Sequence, residues 1–252
     1  MARLSLETLD DFPLVKPGDN LCDLICASLQ AGGQGLKDGD ILVLAQKIVS
    51  KAEGRYRTLS DIVPGKDARA LAIETDKDPR LVQAILDEST EVVRKRKGVL
   101  IVRHRRGWVM AQAGIDQSNI EGGDAGRILL LPEDPDISAL NLKEALESRL
   151  GVALAVVIAD SFGRPFRNGT TGIAVGAAGL ESFIDKRGET DLFGKALMVS
   201  TIAHADEIAS AASILMGQAD EGTPAVVVSG LAKSEHVAAS ALIRPIEEDM
   251  FR

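Results

Sequence analysis

Residues 107–120 read GWVMAQAGIDQSNI. The stretch begins as a strand and stops being one partway. Trp108, Val109 and Met110 suit a pleated, buried segment. Gly114 breaks the run, and Asp116, Gln117, Ser118 and Asn119 follow with almost no apolar content. Polar side chains directly after a buried strand are one way to present chemistry from a rigid edge. The plainer alternative is a turn in which Asp116 and Asn119 hydrogen-bond their own backbone. A second stretch, VALAVVIADSFGRPFRNG (152–169), repeats the pattern. An apolar strand ends in Asp160-Ser161, and a loop of Gly, Pro and Arg follows. Two strands that each deliver an aspartate at the C-terminal edge have the look of a divalent-metal site.

The segments around these two strands mix helix and strand. Residues 2–7 alternate apolar and polar (Ala2, Leu4, Leu6) as a strand does. Residues 12–20 form a loop with two prolines. Asp19 or Asn20 caps a helix over 21–31 that Gly32-Gly33 ends. ILVLA (41–45) is a buried strand, and QKIVSKAEGR (46–55) carries Lys47, Lys51 and Arg55 on one helical face. That face is either solvated or suited to phosphate. Residues 66–75 and 78–89 read as helices, the second opened by Asp78-Pro79. VVRKRKG (92–98) reads as an edge strand kept soluble by charge, or as a wall for an anionic ligand. It turns back into VLIVRH (99–104). Residues 127–136 are a strand ended by prolines, and 138–149 a helix capped by Ser138. IAVGAAGLESF (173–183) is a glycine-rich strand and turn. Residues 196–217 are a strand running into a long helix, 218–224 a polar loop, and 225–230 the last strand. No clean βαβ rhythm emerges, so the expected fold class is α+β rather than a doubly wound sheet.

The whole chain sets outer bounds. Its 252 residues make one large domain or two small ones sharing a core. At 3% aromatic content, base-stacking and carbohydrate platforms are not expected. A net charge of −8 argues against a polynucleotide partner. There is no run of about 18 apolar residues that would span a membrane, and no signal-peptide h-region, so the expected compartment is the cytoplasm. Cys22 and Cys26, with three histidines in the whole chain, do not make a Cys-rich zinc site. They read as small core residues.

The motifs that would name a familiar chemistry are absent. There is no GxxxxGK(S/T) P-loop, no GxSxG, no HExxH and no kinase set. Oxygen ligands and bases are left. Asp116 and Asp160 suit a hard divalent cation, Ser161 adds a hydroxyl, and Asp206, Glu207, Gln218, Asp220 and Glu221 add more oxygen. Lys51, Arg164 and Arg167 suit phosphate oxygens. Metal-assisted phosphate chemistry fits this set, but the set does not identify a substrate.

Seven blocks in order resemble one family. They are GDILVLAQKIVSKAEGR (39–55), DPRLVQAILDES (78–89), GIDQSN (114–119), LLPEDPDISA (130–139), ADSFGRPFRNG (159–169), ADEIASAA (205–212) and MGQADEGTPAVVVSG (216–230). Together they resemble the coenzyme F420-0:γ-glutamyl ligases of deazaflavin biosynthesis. The resemblance implies an intertwined α+β homodimer and a ligase that uses GTP and Mg²⁺ or Mn²⁺, at two sites, with K⁺ as an optional monovalent cation. It implies that the carboxylate of coenzyme F420-0 takes a phosphoryl group from GTP. The amine of L-glutamate then attacks the acyl phosphate, giving amide, GDP and phosphate. By position, Asp116 and Asp160 resemble the metal ligands, with Ser161 and Gln218 at a second metal. Phe12, Pro13, Leu14 and Val15, then Gln46, Lys51 and Asn119, and then Met216, Gly217, Gln218, Glu221 and Gly222 resemble nucleotide-contacting positions. Asp116, Asp160, Lys51 and Arg164 form the expected catalytic set, Arg164 being assigned from its chemistry and not from the resemblance.

The chain departs from the family pattern in places. Gln46 stands where relatives often have Ser or Thr. Ser161 stands for Thr and keeps the hydroxyl. TTGIAVG (170–176) stands where Gln and Asp are expected, which bears on the acceptor. Some members carry a C-terminal flavin-binding domain, and residues 1–252 are expected to form a single ligase unit without it. Two intimately packed subdomains are the alternative. The small-residue segments 173–180 and 203–213 suit either a dimer interface or ordinary core. Besides the ligase, two readings stay open: an amide ligase for a different carboxylate, and a non-catalytic deazaflavin- or nucleotide-binding protein.

Overall fold

The computed structural model describes residues 3–232 and 234–250. Ala2, at the start of the expected first strand, lies outside them. The chain opens with β1 (Ser5–Thr8) and α1 (Leu21–Ala31). Asn20 starts α1 by accepting a hydrogen bond from the Asp23 N–H, and Gly32 stops it. The apolar run of β2 (Ile41–Ala45) passes without a loop into α2 (Gln46–Ala52). β3 (Tyr56–Thr58), α3 (Lys66–Thr75) and α4 (Pro79–Asp87) follow, with Asp78 capping α4 and Pro79 in its first turn. Next come β4 (Ser89–Arg96), β5 (Val99–His104), β6 (Val109–Ala111) and β7 (Arg127–Leu129). The second half holds α5 (Pro135–Leu150), β8 (Ala155–Arg164), β9 (Arg167–Ala178), β10 (Ile184–Asp185), β11 (Thr201–Ile202), α6 (His204–Met216) and β12 (Ala225–Ser229).

The fold is α+β, built on a five-stranded sheet in the order β1-β12-β2-β8-β9. Only β2 and β8 in it run parallel. Strand alternation sends Leu42, Leu44, Val156 and Ile158 to one face, where α1 and α5 pack. It sends Ile41, Val43, Ala155 and Val157 to the other face, against Ala205, Ile208, Ala209 and Ala212 of α6. Both faces are therefore covered, which explains the continuous apolar runs of β2 and β8. Cys22 and Cys26, both free, pack at the first of these cores. The crossover between β2 and β8 carries the small sheets β3-β7 and β4-β5-β6 and a third core, formed with α3 and α4.

A buried ionic cluster ties that crossover together. Glu88, just after α4, lies 3.2 Å from Arg105 and 3.4 Å from Arg55, and both arginines reach Glu133 at 2.7 Å. The His104 imidazole stands 3.6 Å away. Burial alone would raise the Glu88 carboxyl, but His104, Arg105 and Arg55 together outweigh it and hold the group at about 2.

Three expectations are corrected, and the small-residue segments make the core contacts that were one of their two alternatives. Helix α5 begins at Pro135, not after Ser138, because the Asp134 side chain accepts from the Ile137 N–H and proline suits the first turn. Ser138 instead bonds Glu53 and the Asp134 carbonyl. Strand β8 does not stop at Asp160-Ser161: it runs to Arg164 and turns through Pro165-Phe166 into β9, so 168–173 is strand and not loop. The strand expected before α6 shrinks to Thr201–Ile202. The small residues of 173–180 and 203–213 are taken up inside the chain. A Cβ at Gly172 would overlap Ala209, and one at Gly176 would overlap Pro135.

Candidate active site

A cleft of about 860 Å³ opens where β2 ends and its pairing with β8 stops, at Ala45 and Ala159. Ala45 and Ala159 are register partners, so the chain turns into α2 at the level where β8 carries Asp160 past its lost neighbour. The first residues of α2 and the carboxylate of Asp160 therefore share a wall. Beside Asp160 the ladder slips: Ile158 faces Gly176 but Ala159 faces Ala174, leaving Val175 as an extra residue. A bulge of this kind re-aims neighbouring side chains. The Ser161 N–H donates to Asp160 Oδ1 at 2.8 Å.

The 114–120 stretch forms the facing wall. Asp116 is fixed by an isolated bridge, its N–H donating to Leu129 O (2.9 Å) and its carbonyl accepting from the Leu129 N–H (3.0 Å). Its carboxylate is gripped twice. Gln46 Nε2 donates to Oδ2 at 2.7 Å, and Lys47 Nζ lies 3.3 Å from Oδ1. Buried Ser50 donates to Gln46 Oε1 at 2.8 Å and sets the amide's orientation. Lys47 Nζ also donates to Ser118 O at 3.2 Å. Asn119 takes a left-handed φ of 55° and donates from Nδ2 to Ala219 O at 2.7 Å, joining this wall to the 216–224 loop.

Two further loops close the cleft. Gly217 has φ 69° and ψ −170°, a region open to glycine, and a Cβ there would overlap the Glu221 carboxylate. Glu221 accepts from the Ala219 N–H at 2.8 Å, and such backbone donors hold its carboxyl below the usual range. The 12–15 loop is anchored by Gly18 N–H to Ala52 O (2.9 Å) and Lys16 N–H to Asp19 Oδ2 (2.7 Å).

Burial dominates the electrostatics here. It raises Asp116 against the pull of Lys47, Gln46 and Lys51. It raises Asp160 further, to about 7, with the Asp116 charge adding to it and the Ser161 N–H and Lys47 opposing. Burial and then Lys47 lower Lys51, while Asp116 opposes. Two carboxyls raised by burial, one of them raised further by the other, mark a site short of positive charge.

The cleft gathers nearly every residue singled out from the sequence. Phe12, Pro13, Leu14, Val15, Gln46, Lys51, Asp116, Asn119, Asp160, Ser161, Met216, Gly217, Gln218, Glu221 and Gly222 all line it. Arg164 does not: it sits at the β8–β9 turn opposite Arg167, several residues beyond Asp160 on the same strand. Arg55 also leaves the expected basic face, because α2 ends at Ala52, and it bonds Leu131 O and the Glu88 cluster. Asp206 turns to the Ala174 N–H and anchors β9. The cleft adds Lys47, Tyr56 and Gly172. The four-residue spacing of Lys47 and Lys51 is the signal for the first, and the altered 170–176 stretch contains Gly172; nothing in the sequence marks Tyr56.

The donor set suits a hard cation. Among the described residues no group of three or more His, Cys, Asp or Glu side chains gathers to hold a metal. Asp116 and Asp160, with the Ser161 hydroxyl and the Gln218 amide on the same cleft, are all-oxygen donors of the kind that share a divalent ion with phosphates. No helix among the described residues is long and apolar enough to cross a membrane.

Known proteins resemble this chain over most of its length. The family model described as F420-0:Gamma-glutamyl ligase matches residues 11–230. The chain is 46% identical to the coenzyme F420:L-glutamate ligase of Methanothermobacter thermautotrophicus, over 99% of both chains. It is 44% identical to that of Methanopyrus kandleri over 100% of both. Against that of Methanocaldococcus jannaschii it is 42% identical, over 96% of this chain and 94% of the relative.

Proposed function

Because this chain belongs to the F420-0:gamma-glutamyl ligase family, we propose that it joins L-glutamate to the carboxylate of coenzyme F420-0 at the expense of GTP. The observation that carries this reading is the convergence of Asp116 and Asp160 with Lys47 and Lys51 in one loop-closed cleft. All three substrates are anionic and the protein carries −8, so local cations must do the binding.

The acceptor carboxylate attacks the γ-phosphorus of GTP, and GDP leaves. The glutamate amine, having lost a proton, attacks the acyl carbon of the resulting acyl phosphate. Phosphate departs with the bonding pair and an amide is left. Asp116, Asp160, Ser161 and Gln218 are the donors that would hold Mg²⁺ or Mn²⁺. Such a cation neutralises charge on the transferring phosphoryl group. Lys51 adds a positive charge whose own solvation is already reduced, which strengthens its pull on phosphate oxygens. Asn119 and the 216–222 loop hold the nucleotide, and the apolar 12–15 loop covers it. The protein works in the cytoplasm as a homodimer. Support for the dimer comes from the arm between β10 and β11, where Leu192 is 99% and Phe193 95% exposed.

Mass spectrometry tests the reading. Protein, coenzyme F420-0, L-glutamate, GTP and Mn²⁺ should give a product heavier by one or more glutamyl units, dependent on GTP and on metal. No mass shift would overturn it. Gly172, on the cleft wall within the altered 170–176 stretch, favours a second reading: an amide ligase for another carboxylate. Mass gain on a different acceptor, with none on coenzyme F420-0, would select it.

A further inference from the structure

Both carboxylate oxygens of Asp116 already have partners within the chain, Gln46 on Oδ2 and the Lys47 ammonium on Oδ1. Gln46 is buried and locked by Ser50, so it has little freedom to leave. Lys47 differs. Its side chain keeps about a quarter of its exposure and its second contact is one backbone carbonyl, Ser118 O. Four rotatable bonds link its ammonium to the backbone. A divalent ion bound between Asp116 and Asp160 would lie beside that ammonium. Sharing one carboxylate would hold two positive charges close together, and Coulomb repulsion opposes that even at an effective dielectric near 20. They do not share Asp116.

We infer that Lys47 is a built-in counter-ion of Asp116 that a divalent cation displaces, and that the displaced ammonium then binds the anionic substrate. This rests on the metal reading of the preceding section. It goes beyond the phosphate-suited basic face of 46–55 by giving Lys47 a first partner, Asp116, and an order of events. With the cleft empty, Lys47 stabilises the 114–120 wall by pairing with Asp116 and bonding Ser118 O. When the cation arrives, Lys47 gives up Oδ1 and swings into the cleft it already lines. The cation thus frees a second positive charge for the anionic substrate that follows it.

The test is Mn²⁺ binding without nucleotide, read from the loss of the free-ion EPR signal. Lys47→Gln keeps a donor for Ser118 O and removes the charge, and should bind Mn²⁺ about tenfold tighter than the unaltered protein. Lys47→Arg keeps the charge and should stay within about twofold. In Lys47→Gln the KM for GTP should rise about tenfold despite the tighter metal. A lysine that merely braced the wall would give weaker metal and weaker nucleotide together. Equal or weaker Mn²⁺ binding by a folded Lys47→Gln overturns the inference. The unaltered protein supplies an independent readout: amine-reactive labelling of Lys47, followed by mass spectrometry, should rise severalfold when Mn²⁺ is added. Unchanged labelling with Mn²⁺ bound also overturns the inference. If no Mn²⁺ binds to the unaltered protein or to either variant, the metal reading itself fails, an outcome distinct from normal binding with no response to Lys47.

Discussion

Asp160 carries its proton up to about 7 because burial and the neighbouring Asp116 disfavour its charge more than the Ser161 N–H and Lys47 favour it. A carboxyl raised in the folded state penalises folding once the unfolded chain can ionise. The penalty is absent below the ordinary value near 3.8, grows as pH rises, and is complete above 7. Asp160→Asn should therefore stabilise the protein by about 2 kcal/mol at pH 8 and hardly at all near pH 4, a difference read by urea unfolding at both pH values. The same variant, like Asp116→Asn, should lose about a thousandfold in glutamyl transfer by mass spectrometry while keeping its circular dichroism. Both aspartates could be picked out because each follows an apolar strand and the surrounding composition changes abruptly. Arg164 has the chemistry of a phosphate binder but not the position of one. Since β8 continues past Asp160, each further residue carries the chain about 3.3 Å away from the cleft. The partner choice of Lys47 depends on contacts between segments about 70 residues apart, which local pattern does not carry.

Close approach of elements explains the next set of sensitivities. Gly172 of β9 touches Ala209 of α6, so Gly172→Ala should push helix from sheet and cost about 2–3 kcal/mol in chemical denaturation. It should also distort the cleft wall, raising substrate KM. The Glu88 cluster works differently. It joins the end of α4 to β5 and to the chain after α2, with an acid held at about 2. Such a group adds stability above its unfolded value near 4.5, and this is lost as pH falls toward 2. Glu88→Gln should cost about 3 kcal/mol at pH 7, with the gap from the unaltered protein closing between pH 4.5 and 2. Helices announced themselves through caps and prolines, as Asn20 and Asp78 show. The start of α5 was misread because two capping residues, Asp134 and Ser138, lie one turn apart, and Pro135 decides between them. Strand ends were harder to read, since β8 crosses from buried to exposed without any change in backbone conformation.

At the scale of the molecule, the exposed arm is the least self-sufficient part. Replacing Leu192 and Phe193 with Asp should leave a folded monomer by light scattering if the arm seats on a second copy. Unaltered dimer mass would remove the arm from the interface. The α+β class was readable from the irregular order of helices and strands, but the pairing of β1 with β12 and of β2 with β8 was not, because neither involves neighbours in sequence. That pairing also sets a timetable. On the ribosome, β2 emerges with both its edges bare, and its two partners arrive later, β8 over a hundred residues on and β12 after that. The nascent chain is thus a long-lived, unpaired apolar strand, the kind of intermediate that holdase chaperones recognise. Asp160 and the 216–224 loop also follow β2 at a distance, so a product truncated before them has no complete cleft.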